Sequence, residues 1–282
     1  MISTFAPRFV LGAATLAVVG GGGTPPQPPS TPESTRTAPA AVRAAVTPAK
    51  VTPGSDRASA TEVPWGVGER CEYDVKFGII KAGSAELDLP EITEVRGREA
   101  YHTVFHINAG ALFYHVNDTY ESWIDTTTLA SLRFYQTQFE GGKRRIKQYE
   151  IYPDRRTYRD GDKPEQPSVA EPLDDGSFFY FVRTLPLRPN EVYELNRYFK
   201  ADRNPVRVYV LRRERVSVPA GTFNAVVVQP TFKTPGYFGE GGHAQVWISD
   251  DADRTVLRIQ AQLPVGSLTL QLRRRQAGRK VG

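Results

Sequence analysis

The chain has 282 residues, 40% of them hydrophobic and 24% charged, enough apolar material for an ordinary packed core. Its formal charge of +5 is carried by Arg8, the 24–63 stretch and five basic residues after position 272, which leaves the body of the chain close to neutral and excludes a nucleic-acid footprint. A single cysteine, Cys71, excludes an internal disulfide, so packing alone must hold the fold.

Residues 1–23 hold one early charge, Arg8, and then an apolar run over 9–19. That run is short for a bilayer span and suits the core of a cleaved signal peptide, which predicts an exported chain in the periplasm or at the envelope. A retained amino-terminal anchor is the alternative. No cysteine lies near the run, so no lipid anchor on a processed cysteine is expected. Residues 24–63 contain eight prolines and no aromatic residue, leucine or isoleucine, and read as a disordered tether that cannot build a core. The folded domain is expected over 64–272, with 273–282 as a basic tail able to touch a membrane surface.

Alternation of apolar and polar residues predicts strands over 69–77, 84–89, 98–108, 117–124, 129–139, 143–152 and 156–159. In the first of them Cys71 alternates with Tyr73, Val75 and Phe77, so its thiol is expected to face inward and to be inert. A proline-rich loop over 160–172 leads into the one helix, expected at 175–185. Asp174 or Asp175 can cap it, Phe178, Phe181, Val182 and Leu185 form an apolar stripe, and Pro186 stops it. Strands resume over 192–200, 207–218 and 223–232, the last two joined by Pro219, Ala220 and Gly221. After a glycine-rich loop at 234–242, the closing stretch 241–272 reads as three strands with turns at 250–253 and 264–266. About a dozen strands, one short helix and no βαβ alternation predict an all-β, mainly antiparallel fold. The expected form is a strongly curved sheet or barrel-like meander with the helix against its concave side. Charges on both faces of 143–150 argue against a membrane-spanning barrel.

Four stretches, in this order, resemble the bacterial domain-of-unknown-function family DUF3108. They are VGERCEYDVKFGIIKAG from Val67, DTYESWIDTTTLASLRF from Asp118, VSVPAGTFNAVVVQP from Val216, and VWISDDADRTVLRI from Val246 with the later VGS. One departure is Thr255, where the resemblance leads one to expect a proline before Val256. The resemblance implies an exported β-rich domain without an assigned activity, and it carries over no catalytic residue. At the level of fold it is similar to half-barrel lipoprotein carriers, which hold acyl chains on a concave apolar face.

Chemistry-bearing residues are few. His102 and His106 stand four apart on a predicted strand, about 13 Å from one another, too far to share an ion, so no metal site is expected. No nucleotide, phosphate-loop, zinc-protease or nucleophile-elbow motif occurs, and no cofactor is expected. Asp118, Glu121 and Asp125 form the best carboxylate group, with Glu121 and Trp123 on one strand face and Tyr120 on the other. Asp118 and Glu121 are the candidate acid–base pair, but Asp118 and Asp125 are better read as turn residues that bracket the strand. Asp250, Asp251 and Asp253 lack the glycine and distal glutamate of a calcium loop and read as a turn. The basic run Lys143, Arg144, Arg145, Ile146, Lys147 suits a solvated edge that blunts strand pairing, or a contact for anionic lipid or glycan phosphates. Aromatic residues make up 11% of the chain and suit either a core or the lining of an apolar cavity, with Tyr120, Trp123, Phe134 and Trp247 as candidate ligand contacts.

Three functions fit these features. The leading one is a non-enzymatic exported domain that binds an apolar or lipid-like ligand on its concave face. The others are a glycan- or lipid-active hydrolase using Asp118 and Glu121, and a structural partner of envelope proteins with a filled core.

Overall fold

Period-two patterning along most of the chain gives fifteen strands that hydrogen-bond into a single sheet. The computed structural model describes residues 49–51, 63–111, 114–140, 142–233, 244–262 and 267–280. The strands are β1 (Ala49–Val51), β2 (Glu69–Phe77), β3 (Ile80–Val95), β4 (Arg98–Ala111), β5 (Tyr114–Asp125), β6 (Ser131–Glu140), β7 (Lys143–Tyr152), β8 (Thr157–Asp160), β9 (Gln166–Pro167), β10 (Glu191–Leu195), β11 (Val206–Val218), β12 (Gly221–Thr231), β13 (Ala244–Ser249), β14 (Val256–Gln262) and β15 (Ser267–Gln276). One helix, α1 (Asp175–Arg183), separates β9 from β10.

The meander runs in two halves, β2 to β9 and β10 to β15, and β15 returns to lie antiparallel beside β2. The end strands β1 and β9 do not pair with each other, so the sheet curves without closing. Curvature has a local cause: register shifts interrupt the ladders at Val75/Lys76, Asp88/Glu91, Trp123/Ile124, Val210/Arg212, Trp247/Ile248 and Leu272/Arg274. The shift at Asp88/Glu91 lies beside Pro90, which has no N–H to give a ladder. Pairing resumes beyond it, and β3 therefore extends to 16 residues where the sequence pattern shows only 84–89.

Apolar and aromatic side chains of both halves point to the concave face. Trp65, Tyr73, Phe134, Tyr180, Tyr193, Tyr198 and Phe199 are all buried there to 2% exposure or less. A smaller cluster of Val95, Ala100, Trp123 and Leu132 lies apart from that core. At the far end of α1, Arg183 donates to both oxygens of Glu69 (2.6 and 2.9 Å) and to the Asp253 carbonyl (3.0 Å). That one side chain ties helix, first long strand and β13–β14 turn together.

Three expectations change on folding. The stretch after 272 is not a free tail: β15 continues to Gln276, and Arg279 exchanges two backbone hydrogen bonds with Val67 (2.7 and 3.0 Å). Arg273 and Arg274 pair with Glu72 and Arg275 with Asp253 (2.7 Å), because β2 and the β13–β14 turn set carboxylates beside them. A Cβ on Gly278 would lie 2.0 Å from the Gly66 carbonyl oxygen, so this close crossing requires glycine. Second, Ala49–Val51, inside the stretch read as a tether, pairs in parallel with β10. An open edge offers backbone groups that need no apolar side chain opposite them. Third, the strand expected at 192–200 ends at Leu195, and Leu173 bridges to Tyr198 beyond it. The predicted leader 1–23, the rest of 24–62, the glycine-rich loop, the 264–266 turn and His243 lie outside the described residues.

At Thr255 the departure from proline has a use: its N–H donates to Ser249 Oγ (2.7 Å), a bond proline cannot make, and β14 starts regularly at Val256.

Candidate functional site

Strand alternation builds a polar belt into the concave wall. On β5, Asp118, Tyr120 and Ser122 point inward and are buried. Asp118 accepts from Phe139 N–H (3.0 Å) and from the Tyr120 hydroxyl (3.1 Å), to which Gln138 also donates (2.9 Å). Such groups cannot be left bare among aromatic rings: Asp118 and Tyr120 are met by partners on β5 and β6, and Ser122 by Asp174 at the start of α1.

The start of α1 is set into this belt. Asp174 is its cap: one carboxylate oxygen accepts from Gly176 N–H (2.8 Å), Ser177 N–H (2.9 Å) and Ser122 Oγ (2.6 Å). The Asp174 N–H reaches Ser177 Oγ (2.8 Å) and Ser131 Oγ (2.9 Å), a capping box with serine at the third helical position. A Cβ at Gly176 would stand 2.3 Å from Ser122 Oγ, so glycine permits the helix to seat this deeply. Asp175 accepts from the Tyr198 hydroxyl (2.9 Å) and from Gln136 (3.1 Å). Complete burial pushes the Asp174 carboxyl up to about 6 and Asp175 up to about 7, the latter with help from the neighbouring Asp174 charge. Close by, burial holds Lys200 down to about 8, where it donates to the Tyr149 hydroxyl (3.0 Å) and lies over the Tyr149 and Phe199 rings.

Two clefts adjoin the helix. One, lined by Tyr73, Leu87, Phe105, Tyr120, Asp175 and Phe179 among others, holds about 20 Å³. The other, between α1 and β12–β14, holds about 10 Å³. They share Phe179 and Val256, and their walls are almost wholly apolar. Each has room for about one water molecule, whereas a lipid-sized ligand needs on the order of 300 Å³ or more.

The candidates read from the sequence do not converge. Asp118 is on the concave face, while Glu121 is on the convex face beside His102 (3.1 Å), so the expected acid–base pair does not form. Period two forbids it, since residues three apart face opposite ways. Asp125 accepts from the N–H groups of Thr127 (2.9 Å) and Thr128 (2.7 Å), as a turn residue does. Of the four candidate ligand contacts, Tyr120, Phe134 and Trp247 are buried in the main hydrophobic cluster and Trp123 in the smaller one. Trp123 stacks on His102 at 4.5 Å, and Trp247 donates to Glu214 (2.5 Å). Phe134 is packed between Tyr149 and Phe199. His102 and His106 make separate contacts, to Glu91 and Glu121 and to Thr119 respectively. Asp251 accepts from the N–H groups of Asp253 (3.0 Å) and Arg254 (3.1 Å) and forms the turn. Ser122, Gln136, Tyr198 and Lys200 also belong to this site, and no motif in the sequence marks them. The signal the sequence holds for them is polar residues at inward positions, Asp118 and Ser122 around Tyr120, and Gln136 and Gln138 after Phe134.

The family profile described as protein of unknown function DUF3108 matches residues 72–273. None of the curated proteins matches the sequence. Among solved structures, the chain is similar to a β-barrel-like protein of domain of unknown function DUF1849 from Brucella abortus, at 11% identity and a TM-score of 0.51, covering 76% of this chain and 99% of that one. That likeness is one of fold. A Bacteroides fragilis protein described as exported, with a YmcC-like fold, aligns at 12% identity and a TM-score of 0.28, covering 77% and 99% of the two chains. A Parabacteroides distasonis protein described as a lipoprotein aligns at 8% identity and a TM-score of 0.27, covering 76% and 99%.

Proposed function

This chain belongs to the DUF3108 family of proteins of unknown function, and from that premise we propose that it is an exported, non-enzymatic envelope domain that works through its outer surface. The observation that carries this reading is the packing of the concave face among the described residues. Aromatic side chains of both sheet halves and of α1 occupy it, and the two clefts beside the helix hold about 20 and 10 Å³. Export is supported by the apolar run over 9–19 behind Arg8. The interior polar belt acts as a seat for α1: Ser122, Ser131, Gln136 and Tyr198 all bond to Asp174 or Asp175 at the helix start.

A second reading, an apolar ligand held on the concave face, is favoured by the two apolar clefts that meet at Phe179 and Val256. It requires α1 to lift from its seat. Native mass spectrometry of the protein purified from its own envelope separates the two. The expected mass is that of the polypeptide alone; a stoichiometric retained lipid overturns the first reading and favours the second.

A further inference from the structure

The four large apolar side chains that stand exposed among the described residues gather at one end of the sheet. Ile79 (96% exposed) and Ile80 (67%) occupy the β2–β3 connection, and Phe139 (41%) and Ile146 (49%) flank the β6–β7 connection. In a meander, alternate turns lie at opposite ends. These two connections therefore share an end, and the turns after β3, β5, β7, β11 and β13 share the other. No large apolar side chain is exposed at that other end among the described residues. Its turns carry ion pairs instead, such as Arg98 with Asp154 and Arg213 with Asp250.

The apolar tips are set among cations. Lys81, which pairs with Asp74 (2.8 Å), follows Ile80, and Lys143, Arg144 and Arg145 precede Ile146. Lys143 and Arg144 are exposed, and Arg144 stands opposite Phe139 in the β6–β7 register. The last bond on that side of β7 is from Gly161 N–H to the Gln148 carbonyl (2.8 Å), so 143–147 run along an open edge among the described residues. Cations there discourage another strand from adding.

We propose that this end of the sheet docks on an anionic lipid surface, with Ile79, Ile80, Phe139 and Ile146 entering the interface and Lys143 and Arg144 meeting lipid phosphates. The proposal rests on the outward-acting reading above and names its partner. Composition favours a membrane over a protein. The two tips are separated by β4 and β5, three strand steps or about 14 Å across the sheet. The mixture of apolar tips with Lys and Arg matches the interface and surface charge of an anionic bilayer. The basic residues after 272 are a poorer candidate, because Arg273, Arg274 and Arg275 are already paired with Glu72 and Asp253.

The test is flotation of the full chain, purified from its own envelope, with vesicles of phosphatidylglycerol and phosphatidylcholine in equal parts or of phosphatidylcholine alone. The readout is the difference between the two vesicle types, so any contribution of the amino-terminal apolar run cancels. Wild type is expected to float with the anionic vesicles and to be released by raised salt. Ile79→Ser/Ile80→Ser and Lys143→Glu/Arg144→Glu should each lower binding about tenfold or more, with unchanged melting temperatures, while Arg274→Ala has no effect. Equal flotation of wild type and both double variants overturns the proposal. So does saturable capture of a protein through the same residues without vesicle binding. Retained-lipid mass reads the concave face and flotation reads the outside, so the two proposals can fail separately.

Discussion

Arg183 and Glu69 are each only 2% exposed at the side chain, and they meet in a two-pronged ion pair deep in the core. The guanidinium also lies over the rings of Trp65 and Tyr180. Burying both charges costs desolvation that their attraction roughly offsets, but removing one partner leaves the other stranded. Arg183→Met is expected to cost about 3–5 kcal/mol in urea unfolding. Glu69→Gln combined with it should recover a large part of that loss, and a double variant no better than the single would show that the pair is not the unit. Cys71 sits in the same neighbourhood, and burial pushes its thiol up to about 12, consistent with the inward register read from Tyr73 and Val75.

At the scale of the element, α1 is short and owes its stability to its seat rather than to propensity. The sequence stripe named Phe178, Phe181, Val182 and Leu185, yet Tyr180 is fully buried and Phe181 is half-buried beneath the Arg197 guanidinium. A curved sheet wraps more of a helix than one flat contact face does. The two carboxyls at its start give a pH signature. Asp174 and Asp175 hold their protons to about 6 and about 7 in the folded chain, against the ordinary carboxyl range near 4 when unfolded. The folded state thus binds more protons across that window, and the stability this confers is full below it and lost as pH rises through about 6 and about 7. Asp88, pushed up to about 7 by burial and by Glu86, adds in the same direction, and Lys200, held near 8, titrates above the window. The melting temperature is expected to fall between pH 5 and pH 7.5, and Asp174→Asn/Asp175→Asn to flatten that slope. An identical slope in wild type and variant would assign the titration elsewhere.

For the whole molecule, two half-meanders are fastened at β2–β15 and left open at β1 and β9. The parallel pairing of Ala49–Val51 covers the β10 edge with three residues only. A chain beginning at Val63 should therefore unfold in one cooperative step, its midpoint lowered by no more than a few degrees when followed by circular dichroism. A drop of many degrees would make the amino-terminal stretch part of the domain rather than a cover for its edge. One end of the sheet carries the exposed large apolar side chains among the described residues.

The sequence by itself determined the class of fold, because alternation, turn residues and helix capping act over a few neighbouring positions. Cys71 facing inward, Asp251 in a turn and a cap at the start of α1 all follow from that local chemistry. It also separated Glu121 and Trp123 from Tyr120 by face, since that too is a matter of period two. Only the tertiary structure decided what each face meets. The seat of α1 joins Ser122, Gln136, Asp174, Asp175 and Tyr198, drawn from three distant parts of the chain, and no spacing in the sequence ties them together. The arginines after 272 became strand and ion pair because β2 lies beside them, two hundred residues away in the chain. Whether aromatic residues fill a core or line a cavity depends on how tightly two half-sheets and a helix close on one another. That is a property of summed volume and curvature, which no single position carries.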